Sequence, residues 1–308
     1  MFKLEKKSQE GVEFLIIWNT DSSLRATLCL SRGGSLEELV FSNTTVITNL
    51  SPLSPEKTYP SSILFPFANR IKDGKYNFAN KDYIFECNEA AANNALHGLV
   101  YNKTFKCTAY KLSSDSARVQ LSYEPVKSID SFPFRYRIDL HYKFTKDLLA
   151  LEMTVINTGL KEFPFTLGWH PYFKSADLKK SALNFSCSKK LAADNRNITT
   201  EVVDCDLNMP FYLKNVTLDD AYILKSKTIE FLTPEYDLTL SSSEDQNYLQ
   251  LYTPEGLNAI AIEPMTGVSD SFNNKIGLKL LPPKKSFKIC WTLNIRLKKH
   301  YNKSVYLD

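Results

Sequence analysis

The sequence predicts an all-β fold, a large antiparallel β-sandwich with few short helices. Three observations carry this. Many runs alternate apolar and polar residues with a period of two, the mark of strands with one buried face. The 19 Phe and 16 Tyr among 308 residues favour strands over helices. No stretch shows the long 3.6-residue periodicity of an amphipathic helix, and Gly-, Pro- and Asn-containing turns separate the alternating runs. No internal repeat of fixed period appears. The reading is one domain over residues 1–308, with a loop-rich excursion near 174–217.

In chain order, Phe14 to Trp18 and Thr27 to Leu30 read as early strands, and Gly33-Gly34 as a turn or bulge. Residues 49–62, rich in Ser and Pro, read as a loop. Arg70 follows an apolar run and precedes the tight turn Lys72-Asp73-Gly74-Lys75, where its fixed donors can point into a cleft. An exposed Arg in an ion pair fits that local pattern equally well. Residues 90–100 have loop chemistry. His97 stands there next to Gly98, a residue that permits close approach of a ligand, although an exposed loop histidine would look the same.

Alternation strengthens after Phe105. Val119, Leu121 and Tyr123 share a face, and Phe134, Tyr136, Ile138, Leu140, Tyr142 and Phe144 share another. His141 falls in the polar row opposite and reads as solvent-facing. Leu149 to Val155 form the next strand.

The stretch from Glu162 to Phe173 organises the rest. Phe163, Phe165, Leu167 and Trp169 fall on one face; Pro164, Thr166, Gly168 and His170 fall on the other. Pro171 then ends regular pairing. An imidazole is thus expected at the end of an anchored strand with open space beside it, as a proton-transfer site requires. A half-buried structural histidine is the commoner outcome for a lone His. Asp219 and Asp220 stand at a strand entrance, as polyol-binding carboxylates or as turn residues. In Ala259-Ile260-Ala261-Ile262-Glu263-Pro264, two alanines and Glu263 share a face, so a carboxylate closes a hollow. Solvation alone does not explain it, because burying an unpaired carboxylate is costly. Alternation resumes from Phe287 to Leu297, and the tail from Lys298 on is basic and expected to fray.

Composition narrows the classes. A net charge of +4, carried by scattered lysine pairs, lacks the clustering of a nucleic-acid surface. No window approaches the ~18 apolar residues of a membrane span. The six cysteines have no metal or redox spacing and read as free thiols of a reducing compartment. With no signal-peptide pattern at the N-terminus, the expectation is a cytoplasmic protein.

Five segments carry a resemblance: PFANRI at 66–71, NNALHGL at 93–99, TLGWHPYF at 166–173, LDDAY at 218–222 and AIEPMTG at 261–267. In this order they resemble the aldose 1-epimerase (galactose mutarotase) family. The resemblance implies a galactose mutarotase-like supersandwich with an open sugar cleft. It implies that Glu263 is the catalytic base and His170 the acid. Arg70, His97 and Asp219 would hold sugar hydroxyls. Asp219 is preferred over Asp220 because it lies three residues before Tyr222, and Asn69 and Asn94 would be secondary contacts. Two positions depart from the family: Phe105 stands where a Trp often follows the LHG segment, and Leu280-Leu281-Pro282-Pro283-Lys284-Lys285 replaces a Leu-x-Pro-Gly-Glu turn.

The activity implied is interconversion of the α and β anomers of a free aldohexose such as glucose or galactose. One group takes the proton of the C1 hydroxyl while another protonates the ring oxygen. A carboxylate and an imidazolium on opposite sides of the anomeric centre suffice, without cofactor or metal. The expected partner is a small sugar, with no nucleic acid and no membrane, and the chain is expected as a monomer or homodimer. The alternatives are a hexose-6-phosphate 1-epimerase, which needs a phosphate clamp, and a non-catalytic carbohydrate-binding protein on the same fold. The segment Leu99-Val100-Tyr101-Asn102 lacks the Arg that sugar-phosphate relatives carry after their HG, which favours a free sugar.

Overall fold

Alternating sequence becomes paired strand along most of the chain. The computed structural model describes residues 1–298; the rest of the basic tail lies outside the described residues. Pairing between the strands is antiparallel, and two long layers emerge. One runs through Lys106–Leu112, Ala117–Tyr123, Tyr136–Phe144, Leu148–Asn157, Ser286–Leu297 and Tyr236–Ser242. The other runs through Phe2–Gln9, Val12–Asn19, Leu24–Cys29, Ser35–Phe41, Thr44–Ile47, Tyr172–Lys174, Ala259–Met265 and Tyr248–Tyr252. Both end on Asp219–Leu232, whose first residues pair with Tyr248–Tyr252 and whose last pair with Tyr236–Ser242.

The apolar faces read from the sequence meet between the layers. The row from Phe134 to Phe144 is buried, as are Leu149, Leu151, Met153 and Val155. The Tyr142 hydroxyl crosses the core to donate to the Gly34 carbonyl at 2.9 Å, satisfying a polar atom that burial would otherwise strand. Phe163, Phe165, Leu167 and Trp169 all join the same core, where Trp169 stacks on Trp291 with ring centres 6.4 Å apart. The expected single strand is broken, however, into Phe163–Phe165, Gly168–His170 and Tyr172–Lys174. The four apolar side chains of the alternating row nevertheless all reach the core. His141 lies on the solvent side, 3.5 Å from Glu152 on the next strand, as its polar row predicts.

Two expectations need correction. The stretch 174–217 is not mainly loop: it carries the twelve-residue strand Ala182–Ala193, which pairs with Thr199–Asp204 and with Asp219–Leu232. Its period is hard to read because the register shifts between Phe185 and Cys187 and again between Cys187 and Lys189. Each irregularity resets the inside-outside alternation. The cysteines are also not all free. Pairing of Lys189 with Asp204 brings Cys187 and Cys205 together, and they form a disulfide; the other four are free. Widely scattered positions gave no hint of this, since hairpin register decides which thiols meet.

The helices are short, as expected. They are the single turns Pro55–Thr58 and Ser271–Asn274, with 3₁₀ turns at Ala90–Ala92 and Leu178–Lys180. No described helix is long and apolar enough to cross a membrane.

Candidate active site

His170 and Glu263 are placed by adjoining strands. Trp169 is committed to the core, so the next residue must face the other way. Gly168–His170 pairs with Ser62–Leu64 on one side and touches Ala259–Met265 through Gly168 and Met265 on the other. In Ala259–Met265, Ile260 and Ile262 enter the main core, while Ala259 and Ala261 pack against Tyr172 and Leu50 on the opposite face. The expected hollow beside the alanines is therefore partly filled by Tyr172, and Glu263 stands where the open part begins. His170 Nε2 and Glu263 Oε1 lie 3.4 Å apart. The two groups stand side by side, not on opposite sides of a space wide enough for a sugar.

Arg70 and His97 arrive from a small separate ladder. Arg70–Lys72 pairs with Asn94–Leu96, which sets Arg70 opposite Leu96 and next to His97. The bend before it is held by Thr166, whose hydroxyl accepts from the Ala68 N–H at 2.9 Å and whose own N–H donates to the Pro66 carbonyl at 2.7 Å. His97 has a left-handed backbone (φ 62°), and Gly98 follows with φ 77°. A Cβ on Gly98 would sit 2.2 Å from the Phe65 carbonyl oxygen, so only glycine fits this approach. The His97 ring packs edge-on against both His170 and Tyr59.

The Arg70 guanidinium is not free. It grips both oxygens of Glu89 at 2.8 to 3.2 Å and donates to Asn69 Oδ1 at 3.1 Å. Asn69 Nδ2 donates to Gln250 Oε1 at 3.0 Å, and Gln250 Nε2 donates to Asp219 Oδ1 at 2.7 Å. Asn197 Nδ2 donates to the other Asp219 oxygen at 3.0 Å. Gln250 lies directly opposite Glu263 in the neighbouring strand. A continuous amide chain thus joins Arg70 to Asp219 along one side of the cleft.

Burial sets the protonation. His170 is pulled down to about 4, chiefly by desolvation, with the Arg70 charge adding to it. His97 is pushed well below its ordinary value by burial, then by His170 and Arg70. Glu263 is pushed well above the usual carboxylate range by burial and by the nearby Asp219, against the opposing pull of Arg70. Without a ligand the pair therefore favours a neutral imidazole beside a carboxylic acid. Among the described residues, Glu263 Oε2, His170 Nδ1 and His97 Nδ1 are buried without a hydrogen-bond partner. Such atoms are costly to leave unmet. They belong to side chains lining a cleft of about 300 Å³, which Arg70, Asp219, Tyr59 and Tyr252 also line. That size suits a small ligand.

The family profile for aldose 1-epimerase matches residues 16–290. The chain belongs to the aldose 1-epimerase family. The uncharacterized protein YihR of Escherichia coli (strain K12) is 24% identical over 273 residues, covering 85% of this chain and 87% of that one. Among solved structures, a galactose mutarotase-like protein from Clostridium acetobutylicum superposes with a TM-score of 0.84 at 22% identity, covering 97% and 99% of the two chains. A galactose 1-epimerase from Lactobacillus acidophilus NCFM gives 0.79 at 14% identity, with the same coverage. At these identities the structural likeness shows that the chain has the aldose 1-epimerase fold.

All five site residues expected from the family resemblance line this one cleft: Arg70, His97, His170, Asp219 and Glu263. Sequence reasoning missed Glu89, Gln250 and Tyr59. Gln250 did leave a signal, a lone amide in the apolar run Tyr248-Leu249-Gln250-Leu251-Tyr252. Glu89 left none, since it reaches Arg70 from an irregular loop. Tyr59 sat in a segment read only as loop, where Pro55–Thr58 forms a helical turn that delivers it to the cleft.

Proposed function

We propose that the protein is an isomerase that interconverts the α and β anomers of a free aldohexose such as glucose or galactose. The observation that carries this is the His170–Glu263 pair, 3.4 Å apart, lining one cleft of about 300 Å³ together with Arg70, His97 and Asp219. The C1 hydroxyl and the ring oxygen are bonded to the same carbon. Neighbouring proton-transfer groups can therefore reach both from one side, and adjacency replaces the opposed arrangement that the sequence suggested.

From the carboxylate–imidazolium form of the pair, Glu263 takes the proton of the C1 hydroxyl and His170 delivers one to the ring oxygen, so the hemiacetal C1–O bond opens to a free aldehyde and the pair is left neutral. After rotation about C1–C2 the same transfers run backward and close the other anomer. The neutral pair and the carboxylate–imidazolium pair hold the same single proton, so the site ends each passage with the proton count it began with. Arg70, His97 and Asp219 hold hydroxyls of the sugar. Arg70 is already engaged by Glu89, and among the described residues no second arginine lines the cleft; the remaining cation is Lys57, a single point charge and not a bidentate clamp, which favours a free sugar over a sugar phosphate.

Anomer exchange followed by polarimetry or NMR on fresh α-D-glucose, α-D-galactose and glucose 6-phosphate tests the reading. Acceleration is expected for at least one free sugar. No acceleration for any aldose would overturn it, and a preference for the phosphate would establish the alternative.

A further inference from the structure

The turn Asp194–Ile198, within the 174–217 stretch, touches the Asp219 end of the amide chain that lines the cleft and reaches the Arg70 end through Asn94 and Glu89. Asn197 Nδ2 donates to Asp219 Oδ2 at 3.0 Å. Its neighbour Arg196 donates through Nη2 to Asn94 Oδ1 at 3.0 Å, and Asn94 Nδ2 donates to Glu89 Oε2 at 2.9 Å, on the carboxylate that holds Arg70. Seven hydrogen bonds and the peptide link between Arg196 and Asn197 therefore close a ring: Asp219, Gln250, Asn69, Arg70, Glu89, Asn94, Arg196, Asn197 and back to Asp219.

The turn is built to hold this position. Asp194 Oδ1 accepts from the N–H groups of Arg196 and Ile198 at 2.9 and 3.0 Å. Asn197 takes a left-handed backbone (φ 58°), and its carbonyl accepts from Ser269 Oγ at 2.8 Å. Arg196 is tied further to the Ala92 and Asn93 carbonyls and to Asp73. Asp219 itself starts its strand and is open to solvent at the cleft mouth, so packing alone does not choose its rotamer. Two amides, from Gln250 and Asn197, choose it instead.

We propose that Asn197 and Arg196 are substrate-positioning residues, which orient Asp219 and the Arg70–Glu89 pair toward sugar hydroxyls from the far side of the cleft. This rests on the proposed sugar epimerase reading. Neither residue need touch the reacting atoms.

The test measures both the Kd for D-galactose or D-glucose, by calorimetry or NMR titration, and the KM and kcat for anomer exchange. The variants are Asn197→Gly, Arg196→Gln, Asp219→Ala and the two double variants that combine Asp219→Ala with each of the others. Glycine keeps the left-handed backbone, so Asn197→Gly removes only the amide. It should weaken binding and raise KM about tenfold, the scale of one hydrogen bond to a charged group, with kcat within about threefold. In the Asp219→Ala background it should have no further effect, since the group it orients is gone. Arg196→Gln should also weaken binding, and its effect should persist in Asp219→Ala because it acts through Arg70. An Asn197→Gly protein that binds within twofold of the wild type, or a penalty that is unchanged without Asp219, overturns the proposal. If Asn197→Gly does not fold, Arg196→Gln decides by the same binding measure. Wild-type binding without turnover would sink the epimerase reading alone. Absence of any sugar binding would sink both.

Discussion

His170 and Glu263 stand side by side, 3.4 Å apart on adjoining strands, each almost wholly buried and each with an unmet polar atom. Glu263→Gln and His170→Asn keep size and polarity while removing proton transfer. Each is expected to cost about 10²–10⁴-fold in kcat. The double variant should lose little more than the worse single, because the two act on one proton path. Thermal melts should show intact folds. Polarimetry that finds either single variant near wild-type rate would remove that residue from the mechanism.

The pH dependence of rate follows from the shared proton. Activity needs one proton on the pair. As pH falls through about 4, His170 of the free enzyme takes a second, and kcat/KM should drop. On the alkaline side the loss comes when Glu263 gives up its proton, above the ordinary carboxylate range because its pKa is raised. The profile should thus be broad, with its acid limb near 4. An acid limb near the ordinary imidazole value of about 6.5 would mean that His170 is not desolvated in the working enzyme.

Stability has its own pH dependence, with opposite signs for the two groups. The folded pKa of His170 lies below its unfolded value, so the unfolded chain binds the proton first as pH falls. Its contribution is complete above about 6.5 and is lost as pH falls through about 4, amounting to roughly 3 kcal/mol. His97 acts in the same direction. Glu263, whose pKa is raised, contributes fully below its unfolded value and loses this as pH rises through its folded one. Urea unfolding of His170→Asn at pH 7 and pH 5 should show a smaller acid loss than the wild type. Equal losses would refute the burial argument.

Gly98→Ala should be damaging beyond its size. The added Cβ would meet the Phe65 carbonyl oxygen at 2.2 Å with a backbone at φ 77°, so the loop carrying His97 must move. We expect a loss of about 1–3 kcal/mol in unfolding free energy and a raised KM. Denaturant titration and Michaelis kinetics check both. An alanine variant with wild-type stability and KM would show that the approach is not tight.

What the chain determined alone is local. Side-chain alternation settles which face of a strand is buried, so the core rows around Tyr142, Trp169 and Trp291, and with them the β-rich architecture, were legible. The orientation of His170 followed from Trp169, and that of Glu263 from Ile262, for the same reason. Tertiary structure decided everything that depends on register and on contacts between distant segments. It set His170 beside Glu263 instead of across from it, joined Cys187 to Cys205, and made a bulged strand of Ala182–Ala193 within the polar 174–217 stretch. It also brought Glu89 and Asn197 to Arg70 and Asp219 from irregular turns. Such partners leave no periodic trace, because hydrogen bonds between loops are specified by where the sheets hold their ends and not by the spacing of residues along the chain.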